Sequence, residues 1–169
     1  MSTESAGKPK SVRPVPEGYR TAAPYLIVRD AAAALQFYRD AFGASETRRL
    51  NTPDGRIMHA EVRIGDSMLF LASESPDHGA FSPEHFGGSP VSIVLYVDDA
   101  DALFARAVKG GATSLRPMQD QFFGERSGTV LDPFGHRWTL NMHIEDLSDE
   151  EMECRFVAMM SATLPKEAQ

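Results

Sequence analysis

The sequence predicts an α+β protein built from two copies of one β-α-β-β-β unit. Three observations carry this. Tyr25 to Ala44, "YLIVRDAAAALQFYRDAFGA", and Ile93 to Ala112, "IVLYVDDADALFARAVKGGA", each run through a β-rich stretch, an Asp, an Ala-rich helical segment and a closing Gly-Ala. Each is followed by strand-like segments joined by turn signals. Between the halves lies "SESPDHGAFSPEHFGGSP", a join rich in Pro, Gly and Ser. A repeat of about 70 residues exceeds solenoid periods and suits two packed modules.

Residues 1–20, rich in Ser, Pro, Lys and Gly, read as a flexible leader. The first module is assigned to 21–75. Asp30 caps its helix, because a carboxylate accepts the free N–H groups of the first turn. Ala31, Ala34, Leu35, Tyr38, Ala41 and Phe42 form one apolar stripe, and Gly43 stops the helix. "ASETRRL" then leads through "NTPDGR" to "IMHAEVRI" and "SMLFLAS", whose join at Gly65-Asp66 is a hairpin signal. Residues 76–90 are the linker. The second module, 91–144, has Asp99 as its cap, and Leu103, Phe104, Ala107 and Val108 as its stripe. Gly110 or Gly111 stops that helix. "TSLRP" and "SGTVL" precede the Asp132–Gly135 turn and "HRWTLNM", in which Trp138 is expected to pack on the second helix. Residues 145–169 hold a C-terminal helix and tail. Ser148 and Glu151 form a capping box there, and Met152, Phe156, Met159 and Met160 share a stripe.

Composition narrows the function. The 169 residues can bury roughly 70% of their unfolded surface. With 42% hydrophobic and 24% charged residues the chain reads as an ordinary globular protein. No apolar run approaches the ~20 residues that cross a bilayer, and the N-terminus lacks the apolar core of a secretory signal. A single cysteine, Cys154, excludes an internal disulfide and suits a reducing, cytoplasmic setting. A net charge of -7 without a cationic cluster argues against nucleic acid. The acidic run "EDLSDEEMEC" reads as a solvated helix face.

The motifs "PYLIVRDAAAALQFY", "HAEVRIGDS", "DQFFGERSGTVLDPFGHRW" and "HIEDLSDEEM" resemble the vicinal oxygen chelate superfamily of glyoxalase I, extradiol dioxygenases and bleomycin-resistance proteins. They resemble most its PhnB-like, 3-demethylubiquinone methyltransferase-like branch. The resemblance covers about residues 21–152. It implies that the two βαβββ modules curl into a U-shaped half-barrel, with helices outside and a concave cavity. It also implies a homodimer, which the Met/Phe stripe and the long linker permit.

Metal-dependent members place one ligand on the first strand of each module and one on the last. Carried over, these positions are Ala23, Phe70, Ser92 and Thr139. None is a usual ligand of a divalent ion, so no metal and no cofactor is expected, and glyoxalase- or dioxygenase-type activity is put in doubt.

Strand parity assigns the remaining wall. With a two-residue Gly65-Asp66 turn, Ile64 pairs with Ser67 and Val62 with Leu69. His59, Glu61, Arg63, Met68 and Phe70 then face the cavity. His59 and Glu61 form a polar handle or an acid–base pair. Tyr25 and Tyr96 are expected at equivalent first-strand positions, facing inward with Ser92 and Val94. Phe122 and Phe123 are candidates for an aromatic clamp with Phe70, and Arg126 for a contact to an anionic group. Thr139 reads as a wall residue with a hydroxyl to offer. His78, His85, Asp77 and Glu84 read as solvated linker residues, and Ser127 has no triad motif around it. Two classes result. One is a metal-free protein that binds or sequesters a small molecule. The other is a metal-free or displaced-site lyase, isomerase or dioxygenase using His59 and Glu61. The missing ligands put the binding protein first.

Overall fold

A computed structural model describes residues 12–163. The first part of the leader, 1–11, and the end of the tail, 164–169, lie outside the described residues. Each module forms a four-stranded mixed sheet. In the first, β1 (Tyr25–Val28), α1 (Ala31–Phe42), β2 (Ser45–Asn51), β3 (Ile57–Ile64) and β4 (Ser67–Ser73) assemble in the order β1-β4-β3-β2. In the second, β5 (Ser92–Tyr96), α2 (Ala100–Lys109), β6 (Thr113–Asp120), β7 (Glu125–Leu131) and β8 (Arg137–His143) repeat it as β5-β8-β7-β6. The first strand pairs parallel to the last in both. Two short 3-10 turns, Pro76–His78 and Pro83–Phe86, fill the linker, and α3 (Asp149–Thr163) follows the second module.

Local chemistry sets the element ends. Asp30 accepts from Ala33 N at 3.0 Å and Asp99 from Ala102 N at 2.9 Å. Gly43 ends α1 with φ of 68°. After α2 it is Gly111, with φ of 107°, that takes the positive-φ conformation, while Gly110 stays helical. Ser148 Oγ accepts from Glu151 N at 3.2 Å, the expected cap of α3. In the β3–β4 hairpin Ile64 pairs with Ser67 and Val62 with Leu69, the predicted register. Because side chains alternate along a strand, this register puts Ala60, Val62, Leu69 and Leu71 in the core and His59, Glu61 and Phe70 on the other face.

The core is continuous across both modules. Trp138 is fully buried, and its ring contacts are with Phe42 (4.7 Å) and Tyr38 (5.3 Å) of α1. Beyond its expected place on the helix side of the second sheet, this tryptophan joins that sheet to the first helix. Phe37 is also buried, between Phe42 and Phe134. It lies outside the predicted stripe because α1 has a second buried face, covered by the other module. Val108, expected in the α2 stripe, is 40% exposed.

Asp132, in the turn before β8, is 3% exposed. Its Oδ2 accepts from Tyr38 Oη and from Trp138 Nε1, each at 2.8 Å. Its Oδ1 accepts from Phe134 N and His136 N, each at 2.9 Å. Burial, and then the charge and hydrogen bond of Asp132, raise the Tyr38 pKa well above its ordinary value, so this phenol is a donor throughout the working range. His136 Nε2 makes a further bond across the modules, to Ile27 O at 3.1 Å.

Asp132→Ala would leave four donors short of an acceptor, two of them buried side chains. We expect a loss of about 3 kcal/mol or more in urea unfolding, which is about 6–12 °C in Tm for a chain of this size. Tyr38→Phe, which removes one donor and leaves the rest satisfied, should cost only about 1 kcal/mol.

Candidate functional site

The concave face of the first sheet carries one connected cluster. Tyr25 pairs with Phe70, and Phe70 with Glu61, so three neighbouring strands present these side chains in a row. His59 lies two residues from Glu61 on the same face of β3. The ring centroids of Tyr25 and Phe70 are 5.9 Å apart, those of His59 and Phe70 5.6 Å, and those of Tyr25 and His59 5.6 Å. Such separations suit tilted aromatic contacts.

A hydrogen-bonded chain runs through the cluster. Tyr25 Oη lies 2.9 Å from His59 Nδ1, and His59 Nε2 lies 3.3 Å from Glu61 Oε1. A carboxylate only accepts, so Nε2 carries a proton, and in the neutral ring Nδ1 then accepts from Tyr25. Arg48, which pairs with Glu61 from β2, places Nη1 3.6 Å from Glu61 Oε1. Glu61 is only 6% exposed. Burial alone would push its carboxyl up. The hydrogen bonds from Tyr19 and His59 and the Arg48 charge outweigh burial and hold it below the usual range.

Tyr19 was not anticipated. It belongs to the segment read as flexible leader, yet its hydroxyl donates to Glu61 Oε2 and its ring lies 6.0 Å from that of Phe70. Gly18 lies against the Arg63 guanidinium, and Arg20 pairs with Asp66 at 2.5 Å. Tyr19 is the only aromatic residue among the first 24, which is the one hint the sequence holds. Neither periodicity nor parity applies to a segment outside the strands.

The second sheet's concave face is of different chemistry. Ser92 Oγ lies 3.0 Å from Thr139 Oγ1, Thr139 lies 3.4 Å from Thr129 Oγ1, and Arg116 donates to Thr129 through Nε at 3.1 Å and Nη2 at 2.8 Å. Further along, Tyr96 donates to Glu125 at 2.6 Å, Asn141 donates to the other Glu125 oxygen, and Ser127 donates to Asn141 Oδ1 at 2.7 Å. Where β1 and β5 approach, a cavity of about 580 Å³ is lined by Pro24, Tyr25, Ser89, Ser92, Val94 and His136 among others. A shallower hollow of about 690 Å³ along Phe86–Pro90 carries no ionisable group.

Several expectations change. Tyr25 and Tyr96 share a face, but they are not equivalent. Tyr25 pairs with Phe70, whereas the residue opposite Thr139 is Val94. The offset is visible in the distance to the helix cap, five residues from Tyr25 to Asp30 but three from Tyr96 to Asp99. Phe122 contacts Phe123 of its own turn at 5.1 Å and Phe156 of α3 at 5.7 Å, so its ring is packed toward the C-terminal helix and not paired with Phe70. Ile144 and Glu145 donate their backbone N–H to Gly124 O, which holds this turn against the chain leading to α3. Arg126 points to the helix side, where it binds Asp101 through two nitrogens at 2.6 and 2.7 Å and Asp120 at 2.8 Å. A guanidinium held by two carboxylates has little left to offer an anionic ligand. In the linker, His78 bonds Ser75 and His85 stacks on Phe81 at 4.0 Å.

Because the Glu61 carboxyl is held low in the folded chain, its contribution to stability is full above about pH 4.5 and is lost as pH falls through the folded value. The unfolding free-energy gap between the wild type and Glu61→Gln should therefore narrow on going from about pH 6 to about pH 3.5. Urea midpoints at both pH values measure it. A gap that stays constant would show that the Glu61 charge is not stabilised in the folded protein.

Known proteins bear on this geometry. The family model of the Glyoxalase/Bleomycin resistance protein/Dioxygenase superfamily matches residues 20–140. An uncharacterized protein of Mycobacterium tuberculosis strain H37Rv is 41% identical over 133 residues, covering 77% of this chain and 78% of its own length. The crystal structure of protein PA1353 from Pseudomonas aeruginosa superposes with a TM-score of 0.61 at 26% identity, over 73% of this chain and 98% of that one. The putative 3-demethylubiquinone-9 3-methyltransferase, PhnB protein, of Bacillus cereus shares the fold, with a TM-score of 0.58 at 16% identity over 73% of this chain and 99% of that one. The chain belongs to the glyoxalase/bleomycin resistance/dioxygenase superfamily and has PhnB-like proteins among its structural neighbours.

Proposed function

We propose that the chain is a metal-independent binding protein that holds a planar small molecule on the aromatic face of its first module. The observation that carries this is the cluster of Tyr25, Phe70 and His59 around the buried, charge-compensated Glu61. Apolar walls with one fixed polar group are the usual make-up of a small-molecule site.

The residues at the carried-over metal positions do not fit a divalent ion. Ala23 and Phe70 have no donor atom. Ser92 and Thr139 offer neutral hydroxyls that bond each other at 3.0 Å. A divalent centre needs imidazole, carboxylate or thiolate ligands, so no step is derived through a metal. The His59–Glu61 pair favours positioning over proton transfer. The Nδ1 lone pair a general base would use is taken by Tyr25, and Nε2 is committed to Glu61.

We further propose a homodimer in a reducing, cytoplasmic setting. Met152 (37%), Phe156 (46%) and Val157 (56%) expose apolar surface on α3, and Tyr25 (49%) and Tyr96 (64%) do so on the concave faces. Such surface on a small protein suits an interface. The single exposed thiol, Cys154, suits reducing conditions.

Native mass spectrometry tests both points at once. Protein purified without chelator or metal-affinity tag should fly at twice the 18.6 kDa chain mass, with a small organic adduct and without one metal ion per chain. A bare monomer would overturn the dimer. One bound Zn, Ni, Fe or Mn per chain, lost in His59→Ala, would establish a displaced metal site instead.

Calorimetric titration of the released adduct tests the site. Tyr25→Ala with Phe70→Ala should weaken binding by about 2 kcal/mol or more, near thirtyfold. His59→Ala should cost less, about 0.5–1.5 kcal/mol. Abolition by His59→Ala with normal binding by the aromatic variant would favour the enzyme reading.

A further inference from the structure

The leader of this chain supplies a phenol to its own site. Tyr19 reaches Glu61 from 42 residues away in sequence and places its ring beside Phe70. Its hydroxyl takes the one Glu61 oxygen, Oε2, that neither His59 nor Arg48 approaches in the described contacts. Ring contact and hydroxyl donation are the two interactions that a phenolic small molecule would make in the same place.

We propose that the first-module face is a site for hydroxylated aryl rings and that Tyr19 occupies it as an internal ligand, to be displaced on binding. This rests on the reading of that face as the binding site. The chemistry selects the class. Glu61 carries a charge and can only accept, so a ligand there must bring a donor. The flanking His59 proton already serves the other oxygen. Phe70 and Tyr25 present apolar ring surface and favour an aryl body over a flexible chain. The Tyr19 phenol is itself held protonated, chiefly by its hydrogen bond to Glu61, as a displacing phenol would be.

Displacement is within reach of the local forces. Tyr19 is only half-buried, and its neighbours Gly18 and Arg20 are exposed. Its segment is tied to the domain by the Tyr19–Glu61 contact on β3 and the Arg20–Asp66 contact at the β3–β4 turn. An internal ligand lowers apparent affinity by the fraction of molecules in which it is seated. If Tyr19 is seated in about nine molecules of ten, its removal raises the affinity for a competing phenol about tenfold.

The test uses p-cresol, which is the tyrosine side chain itself, and 4-methylanisole, which has the same ring without a donor. Binding to the full chain is read by calorimetry, and placed by NMR shifts of the His59 and Phe70 rings. Tyr19→Ala should bind p-cresol about tenfold more tightly than the wild type and should prefer it to 4-methylanisole by about tenfold. Tyr19→Phe, which keeps the ring and loses the donor, should fall between wild type and Tyr19→Ala. Tyr19 lies outside the core, and unchanged thermal melting of each variant excludes misfolding as a cause. Equal p-cresol affinity in wild type and Tyr19→Ala would overturn the internal ligand, while leaving the face as a binding site. Equal binding of both probes would overturn the hydroxyaryl preference alone. If neither probe shifts the His59 and Phe70 rings in wild type or Tyr19→Ala, the binding reading of this face falls with it.

Discussion

The carboxylate of Asp132 is a charge placed where water does not reach, and the fold is arranged around satisfying it. Two of its four donors are backbone N–H groups of its own turn, at Phe134 and His136. A third is Trp138 Nε1, six residues on, and the fourth is Tyr38 Oη, 94 residues away on α1. An isolated buried carboxylate would cost several kcal/mol, so the chain has to bring those donors to one point. In doing so it closes the turn before β8, orients Trp138 and presses the second sheet onto the first helix. The "DPFGH" run that signals the family is in this structure a joint between modules.

That joint decides where a site can exist. The modules meet through their helix-side cores, with Tyr38, Phe42, Phe37, Phe134 and Trp138 in mutual contact. The opposite sheet faces are only partly covered, and there Tyr25, Val94 and Tyr96 keep 49%, 48% and 64% of their surface. Exposed aromatic surface of this kind is what a ligand or a second subunit would cover.

The duplication preserved the backbone but not the chemistry. Strand order is the same in both sheets, and Phe70 and Thr139 occupy corresponding positions on the last strands. Around Phe70 are rings and a compensated carboxylate. Around Thr139 are hydroxyls, Arg116 and, further along, the Glu125–Asn141–Ser127 network. One face is suited to stacking with a single charged acceptor, and the other to short polar contacts.

The sequence by itself determined whatever depends on near neighbours. The helix caps at Asp30 and Asp99, the β3–β4 register and the shared face of His59, Glu61 and Phe70 follow from spacing within a strand or a turn, and all are found. Only the tertiary structure decided what depends on distant partners. Phe37 is buried because the other module covers it, and Trp138 rests on α1 because Tyr38 and Asp132 draw it there. Phe122 turns to α3 and Arg126 to Asp101 and Asp120, since each finds a partner that strand parity cannot name. Tyr19 is the plainest case. Nothing periodic surrounds it, and its place against Glu61 and Phe70 is set by a hydrogen bond and a ring contact that form only once β3 and β4 have brought their side chains together.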